Sequence, residues 1–109
     1  MISRARRLTK SQVTAVKTAG QTLKSNHFTL VYTKSHDQAA HFGVIVSKKI
    51  SPKAVTRNLL RRRFYTAAQG FTKSSLSILI IPHQHILKHS AEVTGADLIR
   101  QLELLCSKP

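Results

Sequence analysis

Apolar residues recur along this chain with two different periods, and each change of period marks the border of an element. Leu8, Val13 and Val16 lie along one edge of a helix expected from Ser11 to Ala19, and Gly20 stands where that helix would end. Between Gln21 and Lys49 the period falls to two. Phe28, Leu30 and Tyr32 alternate with Thr29, Val31 and Thr33, the pattern of a strand with two unlike faces. The polar stretch Ser35 to Ala40 reads as a connection, and His41 to Lys49, built on Val44, Ile45 and Val46, reads as a following strand. Ser51 and Pro52 are helix-start residues, because serine caps free amides and proline tolerates the first turn. The helix they open is expected to reach about Gln69 and stop at Gly70. Leu76 to Ile81 is a short, nearly unbroken apolar run, which predicts a strand buried on both faces and central in its sheet. Thr94 with Asp97 three residues on resembles a weak capping box, and Leu98, Leu102 and Leu105 continue it at helical spacing. The order is therefore αβββαβα, an α+β arrangement.

Length and charge sharpen this picture. A chain of 109 residues with 41% hydrophobic content has room for one domain with one modest core, so residues 1–109 are read as a single domain. Residues 1–8, which include Arg4, Arg6 and Arg7, read as a flexible basic arm. Lys and Arg number 18 against 4 Asp and Glu, a formal charge of +14 that repels itself unless a polyanion is at hand. Nucleic acid is the expected partner. A membrane is not, since the longest apolar run, Ser77 to Pro82, falls far short of the roughly 18 residues of a spanning helix. No apolar stretch follows the basic start as a secretory signal requires, which points to the cytoplasm. The single cysteine, Cys106, excludes an intramolecular disulfide and a cysteine zinc cluster, and is expected to be an inert thiol near a helix end.

The candidate chemistry lies on the middle helix. A wheel of residues 53–69 at about 100° per residue groups Leu59, Leu60, Phe64 and Ala67 toward the sheet. It groups Arg57, Asn58, Arg61, Arg62 and Tyr65 on the opposite side. Guanidinium forks, an amide and a ring suit phosphate oxygens, sugar hydroxyls and an unstacked base of folded RNA. No acidic residue interrupts that face, so it cannot neutralise itself through i, i+4 ion pairs as an ordinary solvated helix does. Arg63 falls in the apolar arc, where its stem is expected to line the core edge and its head to reach water. Ser47, Lys48 and Lys49 sit at the end of the preceding strand, where alternation should send the two lysines to opposite faces and only one into the patch. Lys53 adds charge at the helix start, itself favourable to phosphate.

Ser47-Lys48-Lys49, Lys53-Ala54-Val55, Arg57-Asn58 and Arg61-Arg62 together resemble the signature of the bacterial ribonuclease P protein component. Arg7-Leu8, a first helix ending at Gly20, a Phe28 strand and a leucine-rich last helix follow in matching order, so the likeness covers nearly the whole chain. The chain departs from the family pattern at several places. Leu59 stands where a second arginine is usual, Tyr65 and Thr66 where arginine and an acid are usual, and Val13 and Lys17 where aromatics are common. The resemblance implies a two-layer α/β sandwich with a four-stranded sheet and a left-handed βαβ crossover, similar to the second domain of ribosomal protein S5. It implies an accessory role in an endoribonuclease whose RNA subunit, using Mg2+, removes the 5′ leader of precursor tRNA, the protein itself binding no cofactor or metal. Carried over by position, Lys48, Lys49, Lys53, Arg57, Asn58, Arg61, Arg62 and Tyr65 would face the RNA subunit. Val13, Thr29 and Val31 would line a cleft for the leader.

Two rival readings remain at the level of sequence. A ribosomal or other general binder of structured RNA would share the charge and the basic helix. A protein nuclease could use His83, His85 and His89, of which the first two would share a face if the strand continued. Against that, no Asp or Glu lies between Asp37 and Glu92 to complete a hard-metal site. The histidines are expected instead in the loop leaving the last strand.

Overall fold

A computed structural model describes residues 7–25, 27–35, 40–71, 75–88 and 90–106. Helix α1 (Lys10–Ala19) is followed by strands β1 (Gln21–Lys24), β2 (Phe28–Lys34) and β3 (His41–Val44), then by helix α2 (Ala54–Ala68), strand β4 (Leu76–Pro82) and helix α3 (Ala91–Cys106). The strands form one sheet in the order β1-β2-β4-β3, so β4 is central as its unbroken apolar run requires. β2 is antiparallel to both of its neighbours, while β3 and β4 run parallel and are joined through α2.

Alternation sorts the sheet into two faces. Phe28, Leu30, Phe42, Val44, Ile78 and Ile80 point to one side and pack with Leu60, Phe64 and Ala68 of α2 and Leu98, Leu102 and Leu105 of α3. This is the sandwich core, with Phe28 and Phe64 meeting edge to face at 6.1 Å. Val31 and Leu79 point to the other side, where α1 lies across the sheet through Val16 and Val13. Gly20 is needed here for closeness rather than for handedness. Its φ is −78°, open to any residue, but a Cβ would meet Val16 O at 2.5 Å and Val31 Cγ1 at 2.7 Å.

Several borders differ from the sequence expectation, each for a local reason. α1 begins one residue earlier because Thr9 and Gln12 form a reciprocal capping box. β3 ends at Val44, and Lys48 to Ile50 form a turn in which Ile50 N donates to Ser47 O at 3.1 Å, so strand alternation never reaches the two lysines. Ser51 does not cap α2. Its Oγ accepts from Lys53 N at 3.2 Å, and the helix starts only at Ala54. α3 likewise starts at Ala91, where Ser90 Oγ accepts from Val93 N, leaving Thr94 buried inside the helix with its hydroxyl donating to Ser90 O. At the other end of α2 the backbone tightens into a 3-10 turn, Gln69–Phe71, so the chain continues through Gly70.

Part of the basic arm is anchored to the sheet. Arg7 bridges Phe42 in parallel and Leu8 N donates to Phe42 O at 2.9 Å, which extends the sheet past the edge of β3. Residues 1–6 of the arm, and 36–39 of the expected connection, lie outside the described residues. Cys106 closes α3, and its side chain too lies outside the description.

Candidate nucleic-acid interface

α2 is turned from its expected orientation by somewhat more than half of one residue's step of about 100°. Its buried line is Leu60, Phe64 and Ala68, with Ala67 partly buried beside it, so Leu59 does not pack on the sheet but is 51% exposed. The wheel misplaced it because residues 59 and 60 are both leucines and hydrophobicity alone cannot choose between them. The side away from the sheet carries Val55, Asn58, Leu59, Arg62 and Thr66, all exposed. Arg57, Arg61 and Tyr65 form a half-buried flank between that outer side and the core, and Arg63 is half-buried on the other flank, as its place in the apolar arc predicted.

The flank is pre-arranged by hydrogen bonds. Arg57 donates through NH1 to Ser51 O at 2.9 Å, tying the first turn of α2 to the loop before it. Arg61 NH1 donates to Asn58 Oδ1 at 2.6 Å, which fixes the asparagine amide and leaves its NH2 to face outward. Lys48 and Lys49 are both exposed on the turn after β3, and Lys53 is exposed at the helix N-cap, where no side chain caps the first-turn amides. Charge and free amide dipoles thus fall on consecutive elements, an arrangement suited to phosphate.

Arg7 joins this flank, although its place in the arm gave no hint of it. Its guanidinium carbon stands 5.0 Å from the centroid of the Tyr65 ring, within cation–π range, and its Nε is buried without a hydrogen-bond partner. One face of the tyrosine is therefore covered by an arginine. Extended backbone sends the adjacent side chains to opposite sides, Leu8 under α1 and Arg7 toward α2.

The three residues expected in a leader cleft share the α1 side of the sheet. Thr29 and Val31 lie on one face of β2, and Val13, Ile45 and Ile81 each pack against the cluster of Val16, Val31 and Leu79. Thr29 Oγ1 shares a 2.9 Å hydrogen bond with His83 Nε2. His83 and His85 occupy the turn leaving β4, with ring centroids 6.0 Å apart, and His89 lies outside the described residues. Among the described residues no three His, Cys, Asp or Glu side chains gather as metal ligands. A separate cleft of about 260 Å³ opens on the other flank of α1, beside Gln12, Ala15 and Ala19 rather than Val13.

Away from this surface, Asp97 anchors α3 to the turn before β2. Its carboxylate accepts from His27 Nδ1 at 2.8 Å, Arg100 NH2 at 2.9 Å and Gln101 Nε2 at 3.3 Å. Burial alone would push this carboxyl up, but the hydrogen bonds from His27, Gln101, Arg100 and Ser25 outweigh it and hold the pKa below its ordinary value.

A family model described as Ribonuclease P matches residues 2–108. The chain belongs to the ribonuclease P protein family. The ribonuclease P protein component of Ralstonia pickettii (strain 12J) is 36% identical over 61 residues, a match covering 55% of this chain and 44% of that protein, so it spans less than half of the relative's length. Among solved structures, a Staphylococcus aureus RNase P protein mutant with defective mRNA degradation activity superposes with a TM-score of 0.81 at 17% identity, covering 95% of this chain and 90% of that one. The RNase P protein from Thermotoga maritima gives a TM-score of 0.76 at 20% identity over 89% and 94% of the two chains. At such identities the likeness shows the shared ribonuclease P protein fold. No helix among the described residues is long and apolar enough to cross a membrane.

Proposed function

We propose that this chain is the protein subunit of ribonuclease P, binding the catalytic RNA through the turn after β3 and through α2, and assisting removal of the 5′ leader from precursor tRNA. The observation that carries this reading is a surface without counter-charge among the described residues. Lys48, Lys49, Lys53, Arg57, Arg61 and Arg62 follow one another on adjoining elements, and no acidic residue occurs from Gln38 to Ala91. Three of the four acids lie on α3, and the buried one, Asp97, is already engaged by His27 and Arg100. A polyanion is what such a surface lacks.

In this reading Lys48, Lys49 and Lys53 meet phosphates as point charges, while Arg61 and Arg62 offer planar forks and Asn58 an oriented amide. Arg57 shapes the start of α2 and shares its field with the RNA. Tyr65 presents the side of its ring that Arg7 leaves uncovered. The leader runs along the α1 side of the sheet past Val13, Thr29 and Val31. Bond cleavage, and the Mg2+ it uses, belong to the RNA subunit, with the protein supplying binding and orientation.

The test is reconstitution with a bacterial ribonuclease P RNA. The protein is expected to bind that RNA, to lower the magnesium needed for precursor-tRNA cleavage, and to leave the precursor uncut when added alone. Equal affinity for the catalytic RNA and for an unrelated structured RNA, with no gain in cleavage, would assign the chain to general RNA binding instead.

A further inference from the structure

Helix α3 is the acidic element of a basic chain, with Glu92, Asp97 and Glu103 along its length. Asp97 is buried and ties α3 to His27 at the start of β2. The side turned away from the sheet, at about 100° per residue, carries Glu92, Val93, Ala96, Ile99, Arg100 and Glu103, all exposed among the described residues. Val93 is 52% and Ile99 40% exposed, so two β-branched side chains stand in water on a helix that has other apolar residues to bury. They lie three residues on either side of Ala96. The neighbouring Gly95 has nothing within 4 Å of where a Cβ would stand, so neither small residue is small to fit the inside of the fold. Charge follows the same centre. Glu92 and Arg100 lie four residues on either side of Ala96 and are opposite in sign. Arg100 NH2 donates to Asp97 Oδ1 at 2.9 Å, yet its side chain is 70% exposed, which leaves donors of the fork for a second carboxylate.

We infer that this face docks on the same face of a second copy of the chain, the two α3 helices crossing antiparallel at Ala96. The occupant is selected by self-complementarity. Reversing the helix about Ala96 lays Glu92 on Arg100 of the other copy and Val93 on Ile99, and two-fold symmetry makes each contact twice. Ala96 meets itself at the crossing, where a small side chain lets the backbones approach. Crossed helices diverge beyond their contact, so Glu103 stays in water. Net charge opposes association elsewhere on the molecule, since two chains of +14 repel, and α3 is where acids and an exposed cation alternate. The face also leaves the basic surface open. Tyr65 turns toward Arg7 at the β3 edge, whereas Asp97 holds α3 to His27 at the start of β2. One helix pair buries less than the roughly 1,200 Å² at which stable complexes begin, so the dimer is weak and needs salt, or bound RNA, to screen the repulsion.

The experiment is sedimentation equilibrium of the full chain, free of RNA, in about 0.5 M salt, where the Debye length is only a few ångströms. A concentration-dependent dimer is expected. Ala96→Gln, at an exposed helical position where glutamine is well tolerated, should weaken it at least about tenfold with unchanged thermal stability and unchanged affinity for the catalytic RNA. Geometry is read by oxidation in a Cys106→Ser background. Two-fold symmetry places position 96 opposite itself, so Ala96→Cys should form a disulfide-linked dimer. The two copies of position 103 stand about 21 Å apart along the axis at 1.5 Å per residue, beyond disulfide reach, so Glu103→Cys should stay monomeric. A monomer at every concentration would overturn the inference and leave the face to a different protein. Equal cross-linking at 96 and 103, or full association in Ala96→Gln, would overturn it as well. Amides of Ala96 and Ile99 that shift when RNA is added to a monomeric chain would give the face to RNA instead. RNA affinity is measured separately, so loss of the dimer and failure of the proposed function are distinguishable.

Discussion

Arg57 and Arg62 carry the same charge on the same helix, yet the structure predicts opposite consequences for replacing them with alanine. Arg57 is half-buried and donates to Ser51 O at 2.9 Å, the bond that holds the loop against the first turn of α2. A hydrogen bond from a charged group contributes roughly 1.5–3 kcal/mol, and partial exposure lowers this to about 1–2 kcal/mol. For a domain near this size each kcal/mol moves Tm by about 4–8 °C, so Arg57→Ala should lose about 5–15 °C. Arg62 is fully outside the packed line, and its guanidinium makes no hydrogen bond among the described residues. Arg62→Ala should change stability by less than about 0.5 kcal/mol, because alanine is also the best helix former. In RNA binding the lost contact should cost about 1–3 kcal/mol and reduce the slope of log affinity against log salt by about 0.7–0.9. The assays are thermal unfolding by circular dichroism and binding to the catalytic RNA at several salt concentrations. The reasoning fails if Arg62→Ala melts as early as Arg57→Ala, or if it leaves both affinity and salt slope untouched.

Further outcomes follow from the packing and the ion pairs. Phe64→Ala, which empties a fully buried site between α2 and Phe28, should cost about 3–5 kcal/mol, visible as a lowered denaturant midpoint before any specific loss of RNA binding. Arg7→Ala should uncover one face of Tyr65 and raise its accessibility to a fluorescence quencher, with a stability loss of about 0.5–1 kcal/mol. The pKa of Asp97 is lower in the folded chain than in the unfolded one, so its stabilising effect is present above the ordinary carboxylate value and is lost as pH falls toward the folded value. Acid unfolding followed by circular dichroism should therefore be less steep in Asp97→Asn, which also starts from lower stability at neutral pH. Replacing His83, His85 and His89 together by alanine should leave the chemical step of the reconstituted enzyme intact, measured in single-turnover cleavage, since no three metal-ligating side chains gather among the described residues and His83 is engaged with Thr29.

Element order and the central strand were legible because they depend on periodicity summed over many residues. The alternation from Phe28 to Thr33 and the unbroken run from Leu76 to Ile81 leave few other arrangements, and the sheet order β1-β2-β4-β3 satisfies both. Helix starts were not legible in the same way, because a capping residue works through one or two hydrogen bonds that several nearby residues can make. Ser51 and Thr94 look like caps and are each used otherwise, α2 having no side-chain cap, while α1 is capped by Thr9 and α3 by Ser90, four residues before Thr94. The rotation of α2 escaped for a related reason. Leu59 and Leu60 are adjacent and alike, and only contact with Phe28 and the rest of the core selects Leu60.

That small rotation changes how the basic residues divide their work. Had Leu59 packed inward, Arg57, Arg61 and Arg62 would all have stood free in water, alike in role. With Leu60 inward, Arg57 and Arg61 lie close enough to the body of the protein to be oriented by Ser51 and Asn58, and Arg62 is left as an exposed cation beside Leu59. Oriented donors lose less entropy on meeting a phosphate than free ones, and an exposed charge attracts over a longer range but fixes nothing. In the proposed RNA-binding role, outer charges at Lys48, Lys49, Lys53 and Arg62 would draw in the polyanion, and an inner pair at Arg61 and Asn58 would set its register. Leu59, exposed among them, can contribute only apolar contact. On the same proposal, RNA would meet that point of α2 with a sugar or a base face rather than with a phosphate.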